Sequence, residues 1–384
     1  YRLASRNRRI QYLFFAAPHQ VWLAPPQATT TQLSSFGVPT VHVDVDERLG
    51  PSTRSIVNAA TVRNIPYRRL TQGSMVQFGW GSKQRRTQAA ETDLTSAISE
   101  SIAQDKDLTK MLLDAAGVPV PRGRWVTTAE DAWAAAQELG GPVVVKPRDG
   151  SQGRGVAVNI ETRERVIQAF EVAEEISSEV IVERYIPGHD FRLLVVGGAL
   201  VAASRRDPPQ VTGDGVHTIR QLVDQVNADP LRGDGHATSL TKIRFDDIAL
   251  ATLKKQGFDA DSVPAPGTLI FLRNNANLST GGSATDVTDE VHPEMAARAV
   301  SAARMIGLDI CGVDVVAESV HYPLEDQNGG VVEVNAAPGL RMHLNPSFGK
   351  GRAVGEAIIA NMYADGDDGR IPVVAVAGTN GKTT

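Results

Sequence analysis

Three oxygen-bearing side chains interrupt two otherwise apolar, strand-like runs late in this chain, and no other feature constrains its fold as tightly. The runs are Gly312-Val313-Asp314-Val315-Val316 and Gly330-Val331-Val332-Glu333-Val334-Asn335. Successive side chains of a strand alternate between faces, so Glu333 and Asn335 are expected on one face, with Val332 and Val334 on the other. Asp314 breaks its own run in the same way. If the two strands pair, Asp314, Glu333 and Asn335 converge on one small volume, and such a cluster needs a cation to offset its desolvation. Hard oxygen ligands without Cys or His suggest magnesium.

At 384 residues and 42% hydrophobic content, the chain is long enough for two or three domains with real cores. A formal net charge of -5 and the lack of a long basic run argue against a nucleic-acid partner held by phosphate neutralisation. No apolar run approaches the roughly 18 to 20 residues of a membrane span, and the first residues lack the apolar core of a signal peptide. A cytoplasmic location with no membrane association is the expectation. Cys311, the single cysteine, reads as a small buried residue beside the Asp314 run and leaves no partner for an internal disulfide. The first residue is not Met and the last falls inside a motif, so a fragment of a longer polypeptide is expected.

Residues 1–52 read as part of an α/β N-terminal domain, with strands at 12–15 and 40–45. Residues 53–105 read as an α/β lead-in carrying a helix at 52–60 and strands at 66–70 and 76–80. Residues 90–116 read as helical, closed by Gly117 with Pro119 beyond. The main body, 106–365, alternates helices at 129–139 and 162–176 with strands at 143–146, 180–183, 191–196 and 199–203, an α+β pattern. Residues 204–268 form a polar insertion with helices at 218–227 and 245–256, followed by a strand at 268–273 and a helix at 293–306. Residues 366–369 look like a linker within a final segment, 366–384, where a new strand starts at 371.

Several constellations suggest phosphate chemistry. Asp149-Gly150-Ser151-Gln152-Gly153-Arg154-Gly155 follows the apolar strand that carries Lys146. Gly150, Gly153 and Gly155 let backbone amides approach an anion, and Ser151 and Arg154 add donors. A mobile hairpin turn would share this composition, but an ammonium fixed on the strand just before the glycines favours phosphate. Lys106, at a helix start, can supply a second ammonium or simply be solvated. Glu183 and Asp190 flank the short Pro187-Gly188-His189 turn, where two acids can accept ribose hydroxyls. Arg192, between Phe191 and Leu193, points at an anion or at one of these acids.

In this order the pieces resemble the ATP-grasp superfamily, over about 105–362. The resemblance implies an ATP-grasp fold, two α+β lobes clasping ATP, preceded by the partial N-terminal domain. It places Lys106 and Lys146 on the phosphates under the 149–155 loop, and Glu183 and Asp190 at the hinge and ribose. Asp314, Glu333 and Asn335 would hold Mg2+ as the γ-phosphoryl group moves to a carboxylate.

A narrower resemblance is to the cyanophycin synthetase family, carried by Arg273-Asn274-Asn275-Ala276-Asn277-Leu278-Ser279-Thr280-Gly281-Gly282, by Val211 to Ile219, by Gly73 to Gly79, and by Glu333-Val334-Asn335-Ala336-Ala337-Pro338-Gly339-Leu340-Arg341-Met342-His343. It implies addition of L-aspartate to the C-terminus of a cyanophycin primer through an acyl phosphate, in a homo-oligomer. Arg273, Asn277 and Ser279 would stabilise the oxyanion, or brace the loop. Arg341 would clamp a substrate carboxylate, with His343 and His236 weaker candidates. The last residues, with Gly378, Gly381, Lys382 and Thr383, form a strand-to-loop phosphate motif similar to that of Mur ligases. In the full-length family that further domain adds L-arginine. Alternatives are another ATP-grasp amide ligase (a dipeptide-polymerising variant, or a glutathione-forming or glutamate-adding type) and a nucleotide-binding scaffold with a degenerate site.

Overall fold

A computed structural model describes residues 9–13, 40–44, 49–148, 155–233 and 240–373. The first described elements, β1 (Arg9–Leu13) and β2 (Thr40–Asp44), pair antiparallel. The strands expected at 12–15 and 40–45 overlap them, and their outer residues lie outside the described set. Helix α1 (Pro51–Val62) starts with Pro at its first position, where the missing N–H costs nothing. Then β3 (Tyr67–Arg69), β4 (Met75–Phe78), β5 (Arg85–Gln88) and β6 (Glu91–Thr92) form an antiparallel sheet in that order.

The stretch read as helical over 90–116 holds two helices, α2 (Ala97–Gln104) and α3 (Lys106–Ala115). Asp105 divides them, because its carboxylate caps α3 by accepting from the Asp107 and Leu108 amides at 3.1 and 3.0 Å. Strand β7 (Gly123–Val126) leads to α4 (Ala129–Leu139), β8 (Val143–Pro147), β9 (Ala157–Ile160), α5 (Arg163–Glu174) and β10 (Val180–Arg184). These make one lobe, a four-stranded sheet in the order β7-β10-β8-β9. Its core of Val126, Ala132, Val143, Val145, Val166, Phe170, Val180 and Val182 lies between the sheet and the two helices.

The second lobe is built on β11 (His189–Val196) and β12 (Ala199–Asp207), the latter four residues longer than its apolar run suggested. The polar excursion follows, with β13 (Gln210–Thr212), α6 (Ile219–Asn227), β14 (Arg232–Gly233), β15 (Leu240–Thr241), α7 (Asp247–Lys255) and β16 (Leu269–Phe271). It has its own small core of Val211, Ile219, Val223, Ile243, Leu253 and Ile270. Then come β17 (Ser283–Asp286), α8 (Pro293–Ile306), β18 (Ile310–Ala317), β19 (Gly330–Asn335), α9 (Arg341–Leu344) and α10 (Val354–Met362). The central sheet has the order β17-β12-β11-β18-β19.

The two faces of this sheet differ. One packs Leu193, Val195, Ala203, Cys311, Val313, Val331 and Val334 against α3 and α8. The opposite face is apolar only at one end, where Leu194, Val196, Ala202 and Ile310 share a core with Ile56, Phe78 and Ile358. Segment 53–92 is therefore packed into the second lobe through α1 and β4. The segment read as a linker is also tied down: the Trp80 amide donates to the Gly369 carbonyl at 2.9 Å, and Lys83 pairs with Asp367 at 2.9 Å.

Helix α10 approaches α1 closely because Gly355 has no side chain; a Cβ there would lie 2.5 Å from the Ser55 carbonyl oxygen. Gly355→Ala should push the helices apart and cost about 1 to 3 kcal/mol in urea denaturation. An unchanged midpoint would contradict that close approach.

Candidate functional site

The metal-type strands pair as their pattern required. Strands β18 and β19 run antiparallel with Asp314 opposite Glu333 and Gly312 opposite Asn335, so the three oxygen-bearing side chains come together. The alternation within β19 departs from the expectation. The register slips between Asp314 and Val315, so that Val315 faces Val331 and Val332 is the extra residue of a bulge. The core valines are Val331 and Val334, while Val332 is only partly buried.

Register extends the site across the whole sheet. Asp286 stands opposite Ser204, Ser204 opposite Arg192, Arg192 opposite Asp314, and Asp314 opposite Glu333. Residues opposite one another share a face, so one polar row crosses all five strands beyond the apolar end of that face. Asp314 is 4% exposed and Arg192 8%, so each charge needs a close partner. The Arg192 guanidinium grips both oxygens of Asp314, with Nη2 donating to Oδ2 at 2.9 Å. Arg206 approaches Asp314 from β12 at 3.3 Å and Asp190 at 3.8 Å. Burial alone would raise the Asp314 pKa, but the two guanidiniums hold it below the usual carboxylate range. The cation expected to offset Asp314 is thus supplied first by arginine, and Arg192 turns to Asp314 rather than to Glu183 or Asp190, the acids foreseen for it. Gly312 makes room for it, since a Cβ there would lie 3.1 Å from Arg192 Nη1.

A second centre lies where the lobes meet. Glu183 is 4% exposed, and its two carboxylate oxygens are taken by Lys146 of β8 and Lys110 of α3. The position read as a ribose contact is therefore an internal counter-charge. Burial would raise the Glu183 pKa, yet Lys146 and then Lys110 hold it low, while burial pushes the Lys110 pKa down. One turn earlier, Lys106 sits 3.6 Å from Glu333. Helix α3 therefore spans both lobes, with Lys110 on one and Lys106 on the other. Arg148 reinforces the first attachment through Asp107 at 2.9 Å and through Glu179.

Asp190 belongs to β11 rather than to the turn before it, and is half-buried beside Arg206; burial raises its pKa against the pull of that arginine. Arg341 is buried and donates to Thr241 Oγ1 at 2.9 Å and to the Leu278 carbonyl at 3.5 Å. It thereby joins the turn carrying Asn277 and Ser279, where Ser279 is exposed and the Asn277 carbonyl accepts from the Thr280 and Gly282 amides. Arg273 pairs with Asp246, the N-cap of α7, which is the bracing role set beside its catalytic one. Gly155 has the left-handed φ of +67° that favours glycine. Gly150, Ser151, Gly153, Arg154, His236, Gly378, Gly381, Lys382 and Thr383 lie outside the described residues.

Lys110 and Arg206 were not singled out from the sequence. Lys110 carried a signal, being one helical turn from Lys106 on the same face. Arg206 lay in the Ser204-Arg205-Arg206-Asp207 run, whose polarity resembles a loop.

Among the described residues no group of three or more His, Cys, Asp or Glu side chains is arranged to hold a metal ion. The donor set of Asp314, Glu333 and Asn335 is two carboxylates and one amide, hard oxygens that fit a magnesium ion. Glu333 is partly exposed, and Asn335 uses only its Nδ2, donating to the Gly312 carbonyl at 3.5 Å.

Comparison with known proteins agrees with this architecture. Residues 99–195 match the ATP-grasp domain, and residues 271–347 match the RimK-like ATP-grasp domain. Both stretches match ATP-grasp domains, in keeping with an ATP-grasp fold. The chain is similar to cyanophycin synthetases, with 46% identity over 340 residues to that of Trichormus variabilis and 47% over 339 residues to that of Synechocystis sp., 88% of this chain in each case. The chain spans 38% and 39% of the length of these two relatives. A bifunctional glutathione biosynthesis protein of Pasteurella multocida is 36% identical over 280 residues, covering 71% of this chain and 37% of that protein. The crystal structure of a bifunctional glutathione synthetase from Pasteurella multocida superposes with a TM-score of 0.65 at 33% identity, covering 82% of this chain and 44% of that one.

Removing the Glu183 charge leaves two buried ammonium groups unpaired, so Glu183→Gln should destabilise the fold by about 3 to 5 kcal/mol at neutral pH. The folded-state pKa of Glu183 is depressed, so its contribution is present above its unfolded value of about 4.3 and is lost as pH falls below it. Urea denaturation across pH should show the wild-type and Glu183→Gln curves converging in acid; a constant gap would contradict the pairing.

Proposed function

We propose that this chain is the ATP-dependent carboxylate–amine ligase part of a cyanophycin-synthesising enzyme, adding L-aspartate to the C-terminal carboxylate of a cyanophycin primer. The observation that carries this reading is the 46% identity to a cyanophycin synthetase over 88% of the chain. Identity to the glutathione protein is lower, 36% over 71% of the chain, which weighs against the glutathione-forming alternative.

In this reading Lys106 and Lys146 bind ATP phosphate oxygens, the 149–155 glycine loop covers them, and Asp190 accepts from the ribose hydroxyls. Lys110 and Glu183 hold Lys146 in place. Asp314, Glu333 and Asn335 hold Mg2+, which supplies charge neutralisation on the phosphates. A carboxylate oxygen of the primer attacks the γ-phosphorus, the bond to the β-phosphate bridging oxygen breaks, and ADP leaves. The aspartate amine then attacks the acyl phosphate carbon, phosphate departs, and the amine proton passes to solvent.

Arg273, Asn277 and Ser279 serve the oxyanion side, and Arg341 orients a substrate carboxylate. The hydrogen bond from Arg341 to Leu278 supports grouping these residues at one subsite. Addition of L-arginine belongs to a further nucleotide-binding domain, for which Gly378, Gly381, Lys382 and Thr383 supply the start of a phosphate loop. No helix among the described residues is long and apolar enough to cross a membrane. We assign the enzyme to the cytoplasm, as a homo-oligomer.

Phosphate release from ATP should require both L-aspartate and a primer of β-Asp-Arg units, and Lys146→Ala should reduce it by about 100-fold or more. Release that needs neither substrate, or that survives Lys146→Ala, would contradict the assignment.

A further inference from the structure

His343 lies on the boundary between the apolar and charged halves of the sheet face, and its chemistry is unused by the reading above. It is 2% exposed, and α9 sets its ring against Ser204, the residue between Asp286 and Arg192 in the polar row. His343 Nδ1 and Ser204 Oγ are 3.0 Å apart, and Ser204 Oγ is 3.5 Å from the Met342 carbonyl. A hydroxyl has one proton to give and two lone pairs to receive. With the Ser204 proton directed at Met342, Ser204 accepts from His343 Nδ1–H, leaving Nε2 as a bare acceptor. Burial, reinforced by Arg192, pushes the His343 pKa down to about 3, in keeping with a neutral ring.

That Nε2 is buried and has no described hydrogen-bond partner. The same is true of one donor on the same face, Nε of Arg206. Arg206 is two residues from Ser204 on β12, so both side chains project from that face. The Arg206 charge acts on the His343 ring, as do those of Arg192, Asp286 and Asp314. One acceptor, held against Ser204 from α9, and one donor, two residues from Ser204 on β12, are therefore each costly to leave unsatisfied.

We propose that His343 is a positioning residue: its neutral Nε2 accepts a hydrogen bond from one water that in turn accepts from Arg206 Nε, and this bridge fixes the guanidinium shared by Asp190 and Asp314. The consequence for catalysis rests on the ligase reading, because it makes Arg206 the link between the nucleotide acid Asp190 and the metal acid Asp314. A protonated ring could not accept this bond and would place a third cation beside Arg192 and Arg206.

Two substitutions separate the two ends of the ring. His343→Asn retains a polar atom near Nδ1 and loses the one at Nε2, whereas His343→Gln retains a polar atom near Nε2. With phosphate release as the assay, His343→Asn should lower kcat by about 10- to 100-fold while His343→Gln recovers most of it. In a double-mutant cycle with Arg206→Lys the losses should be non-additive. Recovery by Asn instead of Gln, or additive losses, would overturn the proposal.

A readout independent of turnover is 15N NMR of histidine-labelled full chain. The His343 signal should be that of a neutral Nδ1–H ring, and its Nε2 resonance should move in Arg206→Lys. An Nε2–H ring, an imidazolium at neutral pH, or an unmoved resonance would overturn the proposal even if the ligase reading stands. A chain that shows these NMR properties but releases no phosphate would instead defeat the ligase reading alone.

Discussion

Asp314 lies inside a sheet with Arg192 beside it on one strand, Arg206 beyond, and Glu333 opposite on the next. A carboxylate 4% exposed is tolerable only while those guanidiniums stay in place. Much of the surrounding architecture serves that condition. Gly312 leaves room for Arg192, β12 extends far enough to bring Arg206 within reach, and the bulge at Val332 lets Glu333 and Asn335 face the site while Val331 and Val334 remain in the core. The arrangement is strongly one-sided, since the other face of the same strands is a closed apolar core.

Helix α3 transmits this order to the nucleotide lobe. Lys110 shares the buried Glu183 with Lys146, and Lys106 reaches Glu333, so the two lobes are joined by three ammonium groups and two carboxylates. In the proposed ligase these are the groups that would respond when phosphates enter. A polyphosphate near Lys106 and Lys146 competes with carboxylates for the same ammonium groups, and a cation near Glu333 compensates for the charge that Lys106 gives up.

The chemistry was more legible than the wiring. Alternation within two apolar strands located Asp314, Glu333 and Asn335, and helix boundaries at 129–139 and 293–306 were read correctly because apolar periodicity and caps agreed there. A helix start at Lys106 was read, but its cap, Asp105, was not, because a capping carboxylate inside a helical stretch resembles an ordinary polar helix residue. Strand β12 was read short because its charged continuation faces a polar site, and there the usual sign of a strand, an alternating apolar face, is absent. Which acid pairs with which base depends on register between distant strands, and that information is not local. Glu183 therefore took by position a ribose role where the structure gives it two lysine partners.

We propose that the polar row and the lysine cluster together form one magnesium–nucleotide site. Calorimetric titration of the chain with a non-hydrolysable ATP analogue, with and without Mg2+, tests this most directly when Glu333→Gln is measured alongside wild type. Binding by the wild type should tighten markedly with Mg2+, and Glu333→Gln should abolish that gain while leaving the weaker metal-free binding. Binding indifferent to Mg2+, or a full magnesium effect in Glu333→Gln, would contradict a single site shared by the two lobes.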